Sequence, residues 1–222
     1  MPKATLEIGV IGLGKFGLQL SRTLVELGHS VVGVDTIETR IRQAQDILSQ
    51  VYIGNATDIA VLQQLRFQDL DCVIVSVGDS METSLLVTLN LQEVGVRKIW
   101  VKAVSLEHKK VLTRLGVDHV ILPEHDVATL LAHRLVNPGM LDLLPIGGGS
   151  GQILLQELTV DQWAGKTLLD LRLANEHGVM VVAIKPANFR EYRFVPTAHE
   201  VLQQGDKLVV IGRSEDVMRL EP

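Results

Sequence analysis

The chain is 222 residues long, with 46% hydrophobic residues, only 4% aromatic ones and a formal charge of −5. That length and apolar content suit one large domain, or a large and a small one, around an aliphatic core. The acidic balance and the lack of a basic run exclude general nucleic-acid binding, and no apolar run is long enough to cross a membrane.

Met1-Pro2-Lys3 leads into the first apolar run without a signal-peptide pattern, so any action at a membrane is expected to pass through a partner. Residues 8–11 read as a strand feeding Gly12-Leu13-Gly14-Lys15-Phe16-Gly17. Helical spacing follows at Leu18, Leu20, Leu24 and Leu27, and a second strand, 31–34, stops at Asp35. Strand, glycine turn, helix, strand and acid in this order form a dinucleotide-binding fingerprint. Gly12 permits the sharp turn, Gly14 lets backbone approach a pyrophosphate, and Gly17 lets the helix pack closely on the sheet. The N–H groups at the helix start, where Lys15 and Phe16 stand, attract phosphate. Asp35, followed by Thr36, is placed to accept bonds from both ribose hydroxyls. It also repels a 2′-phosphate, which favours NAD, ADP or ATP over NADP; Arg40 tempers that last inference.

Further apolar runs recur at 51–53, 73–77, 99–101 and 119–122. Between them lie helical patterns filled by Ile41, Ala44 and Leu48; by Ile59, Leu62 and Leu65; by Leu85, Leu86, Leu89 and Val94; and by Val111, Leu112 and Leu115. Near-continuous apolar strands alternating with amphipathic helices predict an α/β fold: a doubly wound, six-stranded parallel Rossmann sheet buried on both faces. Gly28, Gly95 and Gly116 stand at predicted helix ends, where left-handed caps are expected. The single cysteine, Cys72, reads as a small core residue in a reducing cytosol.

After Leu135 the pattern breaks, and Asn137-Pro138-Gly139 stops the sixth helix. The apolar stretch 141–145 reads as a packed crossover, and Gly147-Gly148-Gly149-Ser150-Gly151 as a flexible hinge. The expected division is therefore 1–136, 137–151 and 152–222. The last segment reads as strand 153–158, short helix 166–173, strands 179–184, 192–195 and 207–211, and a terminal helix 214–220 with Ser214 as N-cap. Gly205-Asp206 makes the turn before the last strand. This small α+β domain has a thin core, so its apolar surface is expected to be shared with another copy.

A nicotinamide dehydrogenase needs a substrate domain and an acid/base group set against a carbonyl. Here the second domain is small, and its only histidines, His177 and His199, stand without a polar constellation. His108, His119, His125 and His133 are scattered over helix and strand ends and read as solvated or structural. The nucleotide is therefore expected to act as a signal rather than a reactant, and no enzyme activity is predicted.

These residues carry a family resemblance. The motifs are Val10-Ile11-Gly12-Leu13-Gly14-Lys15-Phe16-Gly17, Gly28-His29-x-Val31 with Val34-Asp35, and Gly54-Asn55-Ala56-Thr57. Val73-Ile74-Val75-x-Val77-Gly78, Ile99-Trp100-Val101-Lys102-Ala103, Pro123-Glu124-x-Asp126 and Gly205-Asp206-Lys207-Leu208-Val209-Val210-Ile211-Gly212 complete the set. Through them the chain resembles, over almost its whole length, the RCK-domain (TrkA-N plus TrkA-C) cytoplasmic regulatory subunits of bacterial Ktr/Trk-type potassium uptake systems. The resemblance implies paired subunits assembled into a ring, usually an octamer, on the inner face of the cell membrane beneath a potassium-translocating subunit. It implies ATP or ADP as regulatory ligand, with NAD or NADH known in the wider family. Carried over by position, Gly12, Gly14 and Gly17 would cradle phosphates, and Asp35 would hold the ribose. Asn55, Ala56 and Thr57 would lie by the adenine, Val77, Gly78 and Lys102 beside the nucleotide, and Glu124 near the phosphates with a Mg²⁺, Ca²⁺ or Na⁺ ion.

Lys102 also stands inside an apolar strand, where an unpaired ammonium is costly, so an anionic ligand or a carboxylate partner is expected. The family commonly has arginine where this chain has Lys15, which keeps the charge but loses the two-donor fork. Cyclic di-AMP binding, known in some relatives, is not expected, because Ala174 takes the place of their arginine. The alternative reading is a small NAD(H)-dependent oxidoreductase or redox sensor.

Overall fold

The computed structural model describes residues 5–78, 80–144 and 153–222. The chain forms two compact units, Met1–Glu124 and His125–Pro222.

In the first unit, strands β1 (Glu7–Ile11), β2 (Ser30–Asp35), β3 (Gln50–Ile53), β4 (Cys72–Val75), β5 (Ile99–Lys102) and β6 (His119–Ile121) pair in parallel, in the order β3-β2-β1-β4-β5-β6. The connecting helices are α1 (Lys15–Glu26), α2 (Glu38–Gln45), α3 (Ile59–Gln64), α4 (Met81–Glu93) and α5 (Leu106–Arg114), with a 3₁₀ turn at Phe67–Asp69. Alternation along each strand sends side chains to two cores. One collects Val34, Val73, Val75 and Val101 under Leu62, Val87, Leu91 and Leu112, with Phe67 at its centre. The other collects Ile8, Val10, Val31 and Ile74 under Leu18, Leu20, Leu24, Ile41 and Ala44. Gly28, Gly95 and Gly116 all carry positive φ, as the helix-end reading required.

Two helices add small residues to the apolar side chains that pack on the sheet, and some of their expected leucines face out. The buried positions of α1 are Gly17 and Ser21, and Leu27 is exposed. On α4 the buried face is Ser84, Val87, Thr88, Asn90 and Leu91, while Leu86 and Leu89 face out. The Thr88 hydroxyl donates to the Ser84 carbonyl at 2.7 Å, whereas the buried Ser84 hydroxyl has no partner among the described residues. On α5, Leu112 is buried and Val111 is exposed.

The second unit begins inside α6 (Pro123–Val136), so the helix placed in the first domain by the sequence groups with the second. Leu130 packs against the second unit's core. An antiparallel sheet follows, made of β7 (Met140–Leu144), β8 (Ile153–Thr159), β9 (Met180–Lys185), β10 (Arg193–Phe194) and β11 (Lys207–Arg213), ordered β10-β9-β11-β8-β7. The stretch read as a crossover is thus an edge strand, β7, bonded to β8. The glycine hinge at 147–151 lies outside the described residues. The helix read at 166–173 divides into α7 (Leu168–Leu171) and α8 (Leu173–Glu176), because Arg172 between them takes the left-handed conformation, φ +45°. The terminal helix is one turn, α9 (Ser214–Val217), with Arg213 rather than Ser214 at its N-cap. Asp206 makes the turn before β11, its carboxylate accepting from Ala187 N at 3.0 Å and Gln203 N at 2.9 Å.

Candidate functional site

The strand order reverses between β1 and β4, and the carboxyl ends of these strands open a crevice. A cleft of about 580 Å³ lies there, walled by the loops after β1, β2, β3 and β4, by Lys102 at the end of β5 and by Glu124.

The three glycines of the turn have different reasons. Gly12 has φ +94°, and a Cβ there would press to 3.0 Å on the Ser76 carbonyl. At Gly17 a Cβ would lie 1.9 Å from the Gly12 oxygen, so α1 can seat against the turn only without one. Gly14 is unlike both. Its φ of −66° and ψ of −170° suit any residue, and the nearest atom to a built Cβ is Arg40 Cζ at 3.9 Å. The fold itself does not need glycine at 14. Gly14 is the N-cap of α1, without a side-chain cap or an acidic residue in the first turn, so the helix-start amides are left for an anion.

Asp35 ends β2 and is almost wholly buried. Its Oδ2 accepts from Leu13 N at 2.7 Å, and its Oδ1 from Ile37 N at 2.8 Å. Arg40 Nη1 lies 3.3 Å from the same Oδ2. The acid therefore braces the glycine turn and the loop after β2 together. Thr36 and Arg40 also line the cleft.

At the β3 end, Asn55 and Ala56 line the wall with Gly54. Thr57 does not: its hydroxyl donates to Asn55 Oδ1 at 2.8 Å. Gly17 is likewise absent from the lining, being under the turn. Asn90 on α4 holds this loop by donating to the Thr57 carbonyl at 2.9 Å and the Ala56 carbonyl at 3.4 Å. Ser76, after β4, donates its hydroxyl to the Gly12 carbonyl at 2.6 Å. Neither Ser76 nor Asn90 was singled out in the sequence; the only local signal was a polar residue amid apolar ones. Val77, Gly78, Ser80 and Thr83 complete this side, with the Ser80 hydroxyl capping α4 by accepting from Thr83 N at 3.2 Å.

Lys102 at the end of β5 finds the carboxylate partner its burial demanded, the side chain of Glu124, and its Nζ stands 5.6 Å from the Phe16 ring centre. The bond from Lys102 holds the Glu124 carboxyl below its ordinary pKa. Among the described residues, no three His, Cys, Asp or Glu side chains come together as a metal site.

No histidine is found among the lining residues. His108 is fully buried, accepts from Val104 N at 3.2 Å, and is pushed by burial toward its neutral form. His119 stacks on Trp100, ring centres 4.1 Å apart. Burial pushes the Cys72 thiol up to about 11, which keeps it protonated and unreactive.

With this geometry in view, two family descriptions match the chain: the TrkA-N domain over residues 8–123 and the TrkA-C domain over residues 155–222. "Ktr system potassium uptake protein C" of Bacillus subtilis (strain 168) is 39% identical over 215 residues, covering 97% of this chain and 96% of that protein. The solved GsuK RCK domain aligns with a TM-score of 0.63 at 19% identity, covering 100% of this chain and 48% of that one. A structure described as the GsuK channel bound to NAD aligns at 0.53 and 22%, covering 98% and 38%.

Proposed function

The chain belongs to the family built from a TrkA-N and a TrkA-C domain, and from that premise we propose that it is a nucleotide-sensing regulatory subunit of a potassium uptake system. Its partner is a membrane-embedded potassium-translocating subunit, and it acts peripherally on the cytoplasmic face. No helix among the described residues is long and apolar enough to cross a membrane itself. ATP and ADP are the proposed ligands, with NAD or NADH as the other adenine nucleotides the same cleft suits.

The single observation that supports a bound nucleotide best is Gly14. The fold leaves that position free to carry a side chain, and the sequence keeps it bare where the helix-start amides open to the cleft. Around it the residues divide the work. Asp35 and the loop after β2 receive the ribose, Asn55 and Ala56 border the adenine, and Lys15 and Lys102 supply positive charge at the phosphates. Lys102 can exchange Glu124 for a phosphate oxygen, and Glu124, so released, can take a Mg²⁺, Ca²⁺ or Na⁺ ion. A ligand can gate only if it binds two shapes of the assembly unequally, and the group that distinguishes ATP from ADP falls on this Lys15, Lys102 and Glu124 side.

Assembly with further copies, as dimers in an octameric ring, is the proposed setting. It is supported by the unpartnered apolar surface: α6 buries no residue and exposes Val127, Leu131, Leu135 and Val136, while Leu86 and Leu89 of α4 and Trp100 of β5 are exposed too.

Isothermal calorimetry on the full chain with ATP, ADP, NAD and NADH tests the reading. Saturable binding is expected, and Gly14→Ala is expected to lower it about tenfold without lowering the melting temperature, since a Cβ there meets only the Arg40 guanidinium at ordinary contact distance, 3.9 Å. Small-angle scattering is expected to give different profiles with ATP and with ADP. Absence of binding, identical profiles at equal affinities, or hydride transfer to a carbonyl substrate would overturn it.

A further inference from the structure

Asp35 has more partners than a ribose-binding carboxylate can keep. A carboxylate offers about four lone-pair sites. Leu13 N and Ile37 N take two of them, and Arg40 Nη1 takes a third, sharing Oδ2 with Leu13 N. The single site left cannot serve the two hydroxyls of a ribose diol.

The same guanidinium also lies over the glycine turn. A Cβ on Gly14 would sit 3.9 Å from Arg40 Cζ and 4.0 Å from Nη1. Arg40 therefore spans the acid that would receive the ribose and the bare glycine that would admit the phosphates, which is the ground between them that a nucleotide needs. The backbone amides of Leu13 and Ile37 are fixed in the turn and the loop. The Arg40 side chain is 34% exposed against 3% for Asp35, so it is the partner free to swing out.

Resting on the nucleotide reading above, we propose that Arg40 sets the ribose selectivity of this cleft. Before a ligand enters, Arg40 competes for Asp35, and a ribose with free 2′ and 3′ hydroxyls binds only by displacing it. A ribose bearing a 2′-phosphate meets a carboxylate already neutralised by Arg40, and offers oxygens to the same guanidinium fork. The repulsion that an acid after β2 would exert on a 2′-phosphate is thereby reduced in this chain.

The test is calorimetry on the full chain with two probes, ADP and adenosine 2′,5′-bisphosphate, for wild type and Arg40→Ala. ADP is expected to bind Arg40→Ala about two- to fivefold tighter, the scale of a part-exposed ion pair. The bisphosphate is expected to bind it about tenfold weaker, as a charge-assisted contact is lost. Arg40→Gln, which keeps most of the stem and drops the charge, is expected to move the ratio of the two affinities the same way. A ratio that stays put, or weaker ADP binding by the variants, overturns the inference and leaves the nucleotide reading standing. Failure of every protein to bind either probe overturns both.

Discussion

Two ion pairs line the cleft with their burial reversed. In one, the acid Asp35 is 3% exposed and its base Arg40 34%. In the other, the base Lys102 is 12% exposed and its acid Glu124 69%. The buried member of each pair ends a strand of the parallel sheet, and the exposed member stands on a helix, Arg40 on α2 and Glu124 on α6. Each buried charge is held by structure as well as by its partner: Asp35 by two backbone amides, Lys102 by the Phe16 ring. Each exposed charge has solvent as its alternative, so parting it from its partner costs little. The cleft thus presents one braced acid and one braced base, each paired with an exposed counter-charge.

Three substitutions break or sharpen this contrast. The largest effect is expected at Asp35→Ala, which leaves two backbone amides without acceptors at about 1–3 kcal/mol each. Its melting temperature should fall by about 5–10 °C, and its nucleotide affinity by more than tenfold in calorimetry. A variant as stable as wild type would show that the carboxylate does not brace the turn. Lys102→Met comes next. An apolar side chain fits the site, and Glu124 is left to water, so the thermal melt should barely move while ATP affinity falls about tenfold. If stability falls as it does at Asp35, the two buried charges are alike after all.

The smallest effect is expected at Glu124→Gln. The carboxyl's pKa is lower in the folded state than in the unfolded one, so its contribution is fully present above the ordinary carboxylate range and is lost as pH falls through the lowered value. Because the group is mostly exposed, that contribution is only about 0.5–1 kcal/mol, or about 1–3 °C in melting temperature at neutral pH. The gap between wild type and variant should close as the pH is lowered beneath the carboxylate range. A gap that persists there would assign it to something other than charge.

The first unit was largely legible because its signals are local. A strand buried on both faces announces itself as an apolar run, and Gly12, Gly14, Asp35, Lys102 and Glu124 stand at strand ends that the topology must bring to one crevice. What escaped depends on distant partners. Nothing near Asn90 says that its amide crosses 33 residues to the Thr57 carbonyl. Nothing within Met140–Leu144 says that β8 is waiting to pair with it. Leu86 and Leu89 of α4, both exposed, misled for a related reason. Helix-to-sheet distance is set by whatever lies between them, and Ser84 and Thr88 allow an approach that leucine would prevent. Asp35 was read as a ligand group, and its role in tying Leu13 and Ile37 together became visible only in three dimensions.

Gly17 carries a last consequence. A single methyl group would collide with the Gly12 oxygen at 1.9 Å and with the Ser76 hydroxyl that donates to that oxygen. The amides at the start of α1 are therefore set in a bed without slack, a stiff anvil at the base of the cleft. Any adaptation of the cleft to what enters it has to be made by the long side chains around its rim, while its floor keeps one shape.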